Sequence, residues 1–209
     1  MQPVPEPQAV LEDLSRLVPV IYDALEASLN YTREYFDEHN QGIDPYLAPA
    51  LVRYNVKLYL RAAGQTAEDF FDLDTMANNG LLLTNGRYKI RILKSDDGDL
   101  PPPGPSKAKQ AFYHQLPLVF SSKTEDDDAP LNLVVVWDVT SDYRLRGLSL
   151  VCPKSGNTSR SSVEKHWVWP LTPQALLASR APTISKAIVP EDLPIEYLPE
   201  PKVVGEKSE

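Results

Sequence analysis

The chain has 209 residues and a net charge of -8, with 29 acidic side chains against 21 basic ones. This length suits one domain with tails, and the negative charge argues against a dedicated nucleic-acid coat protein, which would be basic. The N-terminus lacks the basic start and apolar core of a signal peptide, and no stretch approaches the ~18 apolar residues of a membrane span. We therefore expect a soluble cytoplasmic protein that does not engage a membrane.

The first third of the chain has the periodicity of helices. Apolar residues spaced three and four apart predict helices over residues 9–38 and 44–63. Pro19 predicts a kink or a break near Val18, because proline lacks an N–H and clashes with the preceding turn. Asp44 suits the N-cap of the second helix.

The second helix has two patterns of its own. One apolar stripe, widened by further apolar residues, predicts that this helix is well buried. The stripe consists of Leu47, Leu51, Tyr54, Leu58 and Ala62, and the residues that widen it are Val52, Val56, Tyr59 and Ala63. Arg53, Lys57 and Arg61 recur every four residues as a basic ridge. We expect this ridge to pair with the acidic face of the first helix, and contact with phosphate groups is the alternative.

A β-hairpin is predicted around Asn85-Gly86, which separates the apolar run Leu81–Thr84 from the strand-like residues 87–94. This dipeptide favours a type I′ turn, in which both central residues need φ > 0. Side chains alternate along a strand, so one face of the second strand is expected to be buried and the other to expose a row of cations. The expected cations are Arg87, Lys89 and Arg91. Either neighbouring carboxylates balance them, or they form a platform for phosphate groups.

The loop after this strand is long, and Pro101-Pro102-Pro103 limits its freedom. It contains Asp96 and leads to a predicted helix with Lys107 and Lys109 near its start. The spacing does not match a Walker phosphate loop.

Further strands are predicted over residues 131–139, 143–152 and 163–169, the first two forming a second hairpin. We therefore expect an α+β fold, with N-terminal helices packed on a mainly antiparallel sheet of five or six strands. The predicted organisation is a disordered N-terminus (residues 1–8), a single domain (9–179, with a helical part over 9–75 and a sheet part over 81–170) and a proline-rich extended tail (180–209).

Catalytic and metal-binding patterns are weak. The three histidines lack ligand spacing, so we expect no metal and no cofactor. Asp138 ends a core strand, but the E-x-K that a metal-dependent nuclease would need does not follow it. Cys152 is interpreted as a small buried apolar residue. The weak catalytic candidates are Lys94, Tyr113 and His114, which together with Arg91 and Lys107 have the residue types of a metal-free ribonuclease.

Several blocks of the sheet part resemble a group of uncharacterised bacterial proteins. They are NNG at residues 78–80, NGRYKIRILKSDDG at 85–98, PG at 103–104, QAFY at 110–113, WD at 137–138 and LVCPK at 150–154. This group has no assigned activity, so the resemblance implies no functional residue.

The expected function is that of an accessory or regulatory protein that binds another macromolecule, a protein in the first place and nucleic acid as the alternative. The expected binding residues are Arg87, Lys89, Arg91, Lys94, Asp96, Lys107 and Lys109. The rival hypothesis is an enzyme that acts on RNA or a nucleotide at the same place. The sequence contains no matched acid–base pair that would decide between them.

Overall fold

The computed structural model describes residues 4–64, 72–75, 80–116 and 130–171. Its helices are α1 (Pro7–Asp13), α2 (Leu17–Glu38), α3 (Leu47–Gly64) and α4 (Lys107–Tyr113). Its strands are β1 (Asp72–Thr75), β2 (Leu81–Thr84), β3 (Tyr88–Lys94), β4 (Leu131–Val139), β5 (Leu145–Ser155) and β6 (Glu164–Pro170). A short 3-10 turn, Arg160–Ser162, precedes β6.

The chain breaks before Pro19 and forms two helices. α1 ends at Asp13 and α2 begins at Leu17, so Pro19 lies in the first turn of α2, where its missing N–H has no partner to lose. α1 begins at Pro7, inside the stretch predicted to be disordered. The indole Nε1 of Trp167 donates a hydrogen bond to the carbonyl oxygen of Pro5 (3.2 Å), which ties this end of the chain to β6.

Helix α3 starts as predicted but buries only part of its predicted apolar residues. The Asp44 carboxylate accepts hydrogen bonds from the backbone N–H groups of Tyr46 and Leu47, both at 2.7 Å, as an N-cap does. The buried residues are Ala48, Val52, Val56 and Leu60. Val52 and Val56 are among the predicted apolar residues, whereas Leu47 and Tyr54 are 43% and 50% exposed, so the predicted burial of this helix is wrong for its outer residues.

The described strands form one sheet of six, in the order β1-β2-β3-β4-β5-β6. Neighbouring strands are antiparallel except β3 and β4, which are parallel. Helices α1, α2 and α3 pack against one face through the larger apolar cluster, and α4 covers part of the other through a smaller one. The predicted α+β class, with N-terminal helices on a mainly antiparallel sheet, is confirmed.

The predicted boundary between the helical part and the sheet part changes. Asp72–Thr75 is a strand, although the sequence assigns it to the helical part, because its backbone pairs with β2. Residues 65–71, 117–129 and the tail over 180–209 lie outside the described residues. Within the described ranges, no helix is both long and apolar enough to cross a membrane.

The first hairpin forms where predicted, with a different turn. β2 and β3 pair from Leu81 with Ile92 to Thr84 with Lys89. Neither Asn85 nor Gly86 has a positive φ, so the expected type I′ turn was wrong. Instead, the Asn85 side-chain oxygen accepts hydrogen bonds from the N–H groups of Arg87 (2.9 Å) and Tyr88 (2.7 Å). The asparagine side chain therefore organises the turn.

A side chain from the crossover between β3 and β4 completes the pairing of β4 with β5. Pro153 in β5 has no N–H to donate. The Gln115 side-chain amide fills this gap. It donates to the carbonyl oxygens of Asn132 (2.9 Å) and Pro153 (2.8 Å), and it accepts from the Asn132 N–H (2.9 Å). Gln115 has a φ of 56°, which brings its side chain back towards the sheet.

Replacing Gln115 with Ala is expected to lower the free energy of unfolding by about 2–3 kcal/mol, because it leaves two carbonyls and one N–H without their partner. Urea denaturation measures the change. Lys109→Ala, an exposed change in the same crossover, is the control and is expected to stay within about 0.5 kcal/mol. A loss for Gln115→Ala no larger than the loss for Lys109→Ala would contradict this bridging role.

Candidate functional site at the carboxyl ends of β3 and β4

The predicted row of cations does not form one exposed face. Arg87, next to the hairpin turn, pairs with Asp13 of α1 (Nη1 to Oδ2, 2.8 Å). Lys94, at the other end of β3, pairs with Asp96 (Nζ to Oδ1, 2.6 Å). The strand between them has seven residues and is about 23 Å long. These two cations therefore belong to different regions of the surface.

Arg91 lies in the interior, where the sequence predicts an exposed cation. Its exposed fraction is 4%, and its guanidinium carbon lies 4.6 Å from the centre of the Phe112 ring in α4. Burial lowers the pKa of Arg91, and the nearby Tyr113 opposes that shift. Arg91 Nε has no hydrogen-bond partner among the described residues. The covering of this face by α4 is what makes the prediction wrong.

The other predicted residues are spread over α4 and its surroundings. Lys107, Lys109 and His114 are exposed, whereas Lys89 is half-buried. Tyr113 is buried, its hydroxyl donates to the Pro101 carbonyl oxygen (2.6 Å), and burial raises its pKa. The structure thus brings Arg91 close to Tyr113 and Lys94 to Asp96, and it leaves the predicted set without a common centre.

A polar cluster that was not predicted from the sequence lies where β3 and β4 end. Because these strands are parallel and adjacent, their carboxyl ends lie at the same edge of the sheet, a usual position for binding sites. The loop Ser95–Asp99 follows β3, and Asp138 lies at the end of β4. Ser95 N–H donates to the Trp137 carbonyl oxygen (2.8 Å), which extends the parallel pairing into the loop.

The centre of this cluster is the pair Asp138 and Arg146. Asp138 is buried, with 5% of its surface exposed. Its Oδ2 accepts from Arg146 Nε (3.0 Å) and Nη2 (2.9 Å), and the same Nη2 donates to the Asp96 carbonyl oxygen (3.3 Å). Asp138 Oδ1 is buried and has no partner among the described residues. A buried carboxylate thereby orients a guanidinium whose side chain is 49% exposed.

Two glycines make room for the Asp138 carboxylate. Gly147 faces Asp138 across the β4–β5 ladder, and a Cβ at this position would lie 2.8 Å from Oδ1. Gly98 has a φ of 80°, and a Cβ there would lie 3.1 Å from Oδ2. Both positions therefore need a residue without a side chain, and Gly98 also has the left-handed backbone that glycine adopts without strain.

Further ion pairs join the loop to the segment around β6. Asp97 pairs with Arg160 (3.0 Å), and Asp99 pairs with Lys165 (2.9 Å). The Ser95 hydroxyl, which donates to Asp97 Oδ1 (2.9 Å), lowers the pKa of Asp97, and the Asp99 N–H adds to this effect. The loop is consequently held from both sides, while most of its charged groups stay at the surface.

Tyr143, in the turn between β4 and β5, is backbone-strained and buried. Its φ is 60°, which is uncommon for a bulky residue, and its exposed fraction is 7%. The hydroxyl has no hydrogen-bond partner among the described residues. Burial raises the pKa of Tyr143 to about 12. The nearby Arg53 of α3 opposes that shift, and Asp96 adds to it.

The structure also bears on metal binding and on the one cysteine. Across the described ranges, no group of three His, Cys, Asp or Glu side chains is placed to hold a metal ion. Cys152 is buried, and burial raises its pKa to about 12, so at neutral pH it is a protonated thiol and a poor nucleophile. Trp167 packs, partly buried, against the larger apolar cluster.

Sequence reasoning considered Asp138 only as a nuclease acid and overlooked Arg146, Gly98 and Gly147. The missing step was the register of the second hairpin. Counting outward from its turn, where Val139 faces Leu145, would pair Asp138 with Arg146. A register shift between Asp138 and Val139 instead places Gly147 opposite Asp138, and it is this irregularity that packs the carboxylate against a glycine.

Gly147→Ala is expected to lower the free energy of unfolding by about 1–3 kcal/mol, because the new methyl group would overlap the Asp138 carboxylate. Urea denaturation measures this, with Gly42→Ala, where a Cβ meets nothing within 4 Å, as the control. The cost of Gly147→Ala should shrink in an Asp138→Ala background, since the two positions are coupled. Equal costs in both backgrounds would contradict the clash.

The free energy of unfolding is expected to fall in alkaline solution. The Tyr143 pKa is raised above its ordinary value of 10.0 to about 12, so the unfolded chain loses this proton first. The stabilising contribution is complete below pH 10 and is lost as the pH rises through 12. Tyr143→Phe should reduce the alkaline loss measured by urea denaturation at several pH values, with the exposed Tyr46→Phe as control. An unchanged alkaline loss in Tyr143→Phe would contradict this assignment.

Comparison with known proteins finds no relative of this chain. The chain matches no protein-family model, no curated protein and no solved structure. The resemblance of its sequence blocks to a group of bacterial proteins therefore stays a prediction.

Proposed function

We propose that this protein is an accessory or regulatory protein that binds a partner protein through its strand-end surface. We define the strand-end surface as the loop Ser95–Asp99 together with Lys94, Asp138, Arg146, Arg160 and Lys165. This surface replaces the row Arg87, Lys89 and Arg91 that the sequence favours, because Arg91 is buried and Arg87 lies at the other end of β3.

The observation that carries the proposal is the fixed orientation of Arg146. Two of its nitrogens are bound by the buried Asp138 and by the loop backbone, while about half of the side chain is exposed. An arginine held in one orientation loses little conformational entropy on binding, and arginine is enriched among the residues that dominate protein interfaces. The partner group that suits it is a carboxylate, which accepts hydrogen bonds from a guanidinium.

The balance of charge favours a protein over nucleic acid. Each cation of the strand-end surface has its own carboxylate within 3.0 Å. The pairs are Lys94 with Asp96, Arg146 with Asp138, Arg160 with Asp97 and Lys165 with Asp99. Nucleic acid would require an excess of cations to neutralise phosphates, whereas a mixed surface of fixed charges can complement a protein.

The contacts of the weak catalytic candidates give no support to the rival enzyme hypothesis. Lys94 is paired with Asp96, the Tyr113 hydroxyl is bound to a backbone carbonyl, and His114 is an exposed residue at the end of α4. A general acid–base mechanism needs such groups to meet at one reacting atom.

Site-specific photo-crosslinking tests the proposal in the cells that make the protein. A photo-reactive amino acid replaces Arg144, which is exposed and two residues from Arg146. We expect a covalent protein adduct that disappears in the Arg146→Gln background, because the anchor is lost. The matched control is Arg16→Gln, which removes an exposed arginine at the start of α2 and should leave the adduct unchanged.

Two results would contradict the proposal. One is an adduct that survives Arg146→Gln at full yield, or no protein adduct at all. The other is binding to RNA or heparin that weakens steeply with added salt and depends on Arg146, which would indicate phosphate contacts instead of a protein partner.

A further inference from the structure

Helix α3 has an apolar face in addition to the one it buries. The residues packed into the larger apolar cluster follow one another at intervals of four and lie on the inner side of the helix. The outer apolar residues are Leu47, Leu51, Tyr54 and Leu58, which we call the α3 seam. Leu47 is 43% and Tyr54 50% exposed, and Leu58 is half-buried, while Leu51 is partly buried against the larger apolar cluster and lies at the edge of the seam. Exposed large apolar side chains in a row mark a surface that another element can cover.

The spacing along the α3 seam is that of a helix that pairs with another helix. Its members follow one another at intervals of four, three and four residues, the alternation of a and d positions in a heptad. With Leu51 and Leu58 at a and Tyr54 at d, Lys57 occupies a g position. Side chains at g positions flank the apolar contact and pair with charges of the opposing helix.

The charge of α3 identifies the kind of helix that fits. Its 18 residues include no Asp or Glu. The expected pairing of the basic ridge with the acidic face of the first helix is not found for Arg53 or Lys57, since none of the ion pairs within the described ranges involves them. Lys57 thus flanks the α3 seam, and no carboxylate of the described residues pairs with it.

We propose that the α3 seam binds an amphipathic helix of a partner protein whose flanking residues are acidic. Glutamates beside the partner's apolar stripe would meet Lys57, while its leucines would cover Tyr54 and Leu58. A second copy of this chain fits worse, because two α3 helices would bring lysine against lysine. A membrane fits worse too, because the net charge of -8 opposes binding to anionic lipid.

A pair of synthetic helical peptides tests this on the whole chain. Both have about four heptads with leucine and isoleucine at a and d. One has glutamate at every e and g position and the other lysine. By fluorescence anisotropy we expect the acidic peptide to bind and the basic peptide not to. Added salt should weaken the binding, and Tyr54→Ala should weaken it about tenfold.

Two further variants separate binding from folding. Tyr46→Ala, which removes an 89% exposed ring just before α3 and off the seam, is the matched control and should bind like the unmodified chain. Lys57→Glu should reverse the preference, so that the basic peptide binds and the acidic one does not. A variant that had merely lost its fold would bind neither peptide and would show it by circular dichroism.

Three results would overturn the inference. One is binding of both peptides alike, or of neither. The second is self-association of the chain that Tyr54→Ala abolishes, which would make the occupant a second copy. The third is Tyr54-dependent binding to vesicles of phosphatidylserine and phosphatidylcholine in equal parts, which would make it a membrane. None of these readouts involves Arg146, so they are independent of the proposed function.

Discussion

The parallel pairing of β3 with β4 is the constraint on which the rest of the structure depends. Antiparallel neighbours can be joined by a tight turn, but parallel neighbours require the chain to cross a face of the sheet. That crossing contains the Ser95–Asp99 loop, the prolines and α4. It is the reason that this face of the sheet is covered near α4, and it brings the ends of β3 and β4 together beside Asp138.

Local patterns were enough to predict much of the fold. The helices, both hairpins and the α+β class follow from periodicity and from turn or capping residues such as Asp44, which act over a few positions. Asn85-Gly86 located the first hairpin, although the turn is built by the asparagine side chain and not by positive φ angles. The parallel pairing was not predicted, because it joins strands separated by a long crossover.

The site was harder to predict than the fold, and Arg91 shows why. Alternation along β3 correctly separates Arg91 from Ile90 and Ile92, because it tells which residues share a face. It does not tell whether that face is covered, which depends on where Phe112 of α4 comes to lie. Similarly, the surroundings of Asp138 depend on Gly98, in the loop after β3, and on Gly147, in β5. These two residues are far apart in the sequence.

The Gln115 side chain supplies hydrogen bonds between β4 and β5 that the two strands cannot make with each other. The two strands are neighbours in sequence and can pair starting from their turn. Asn132 and Pro153, however, complete their hydrogen bonds only once Gln115 of the crossover has packed against the sheet. Closure of the open end of this hairpin is therefore coupled to a distant part of the chain. In a molecule caught before that step, the backbone groups of Asn132 and Pro153 lack these partners and can pair with a strand of another molecule. We therefore expect the glutamine that completes the sheet also to limit aggregation of the newly made chain.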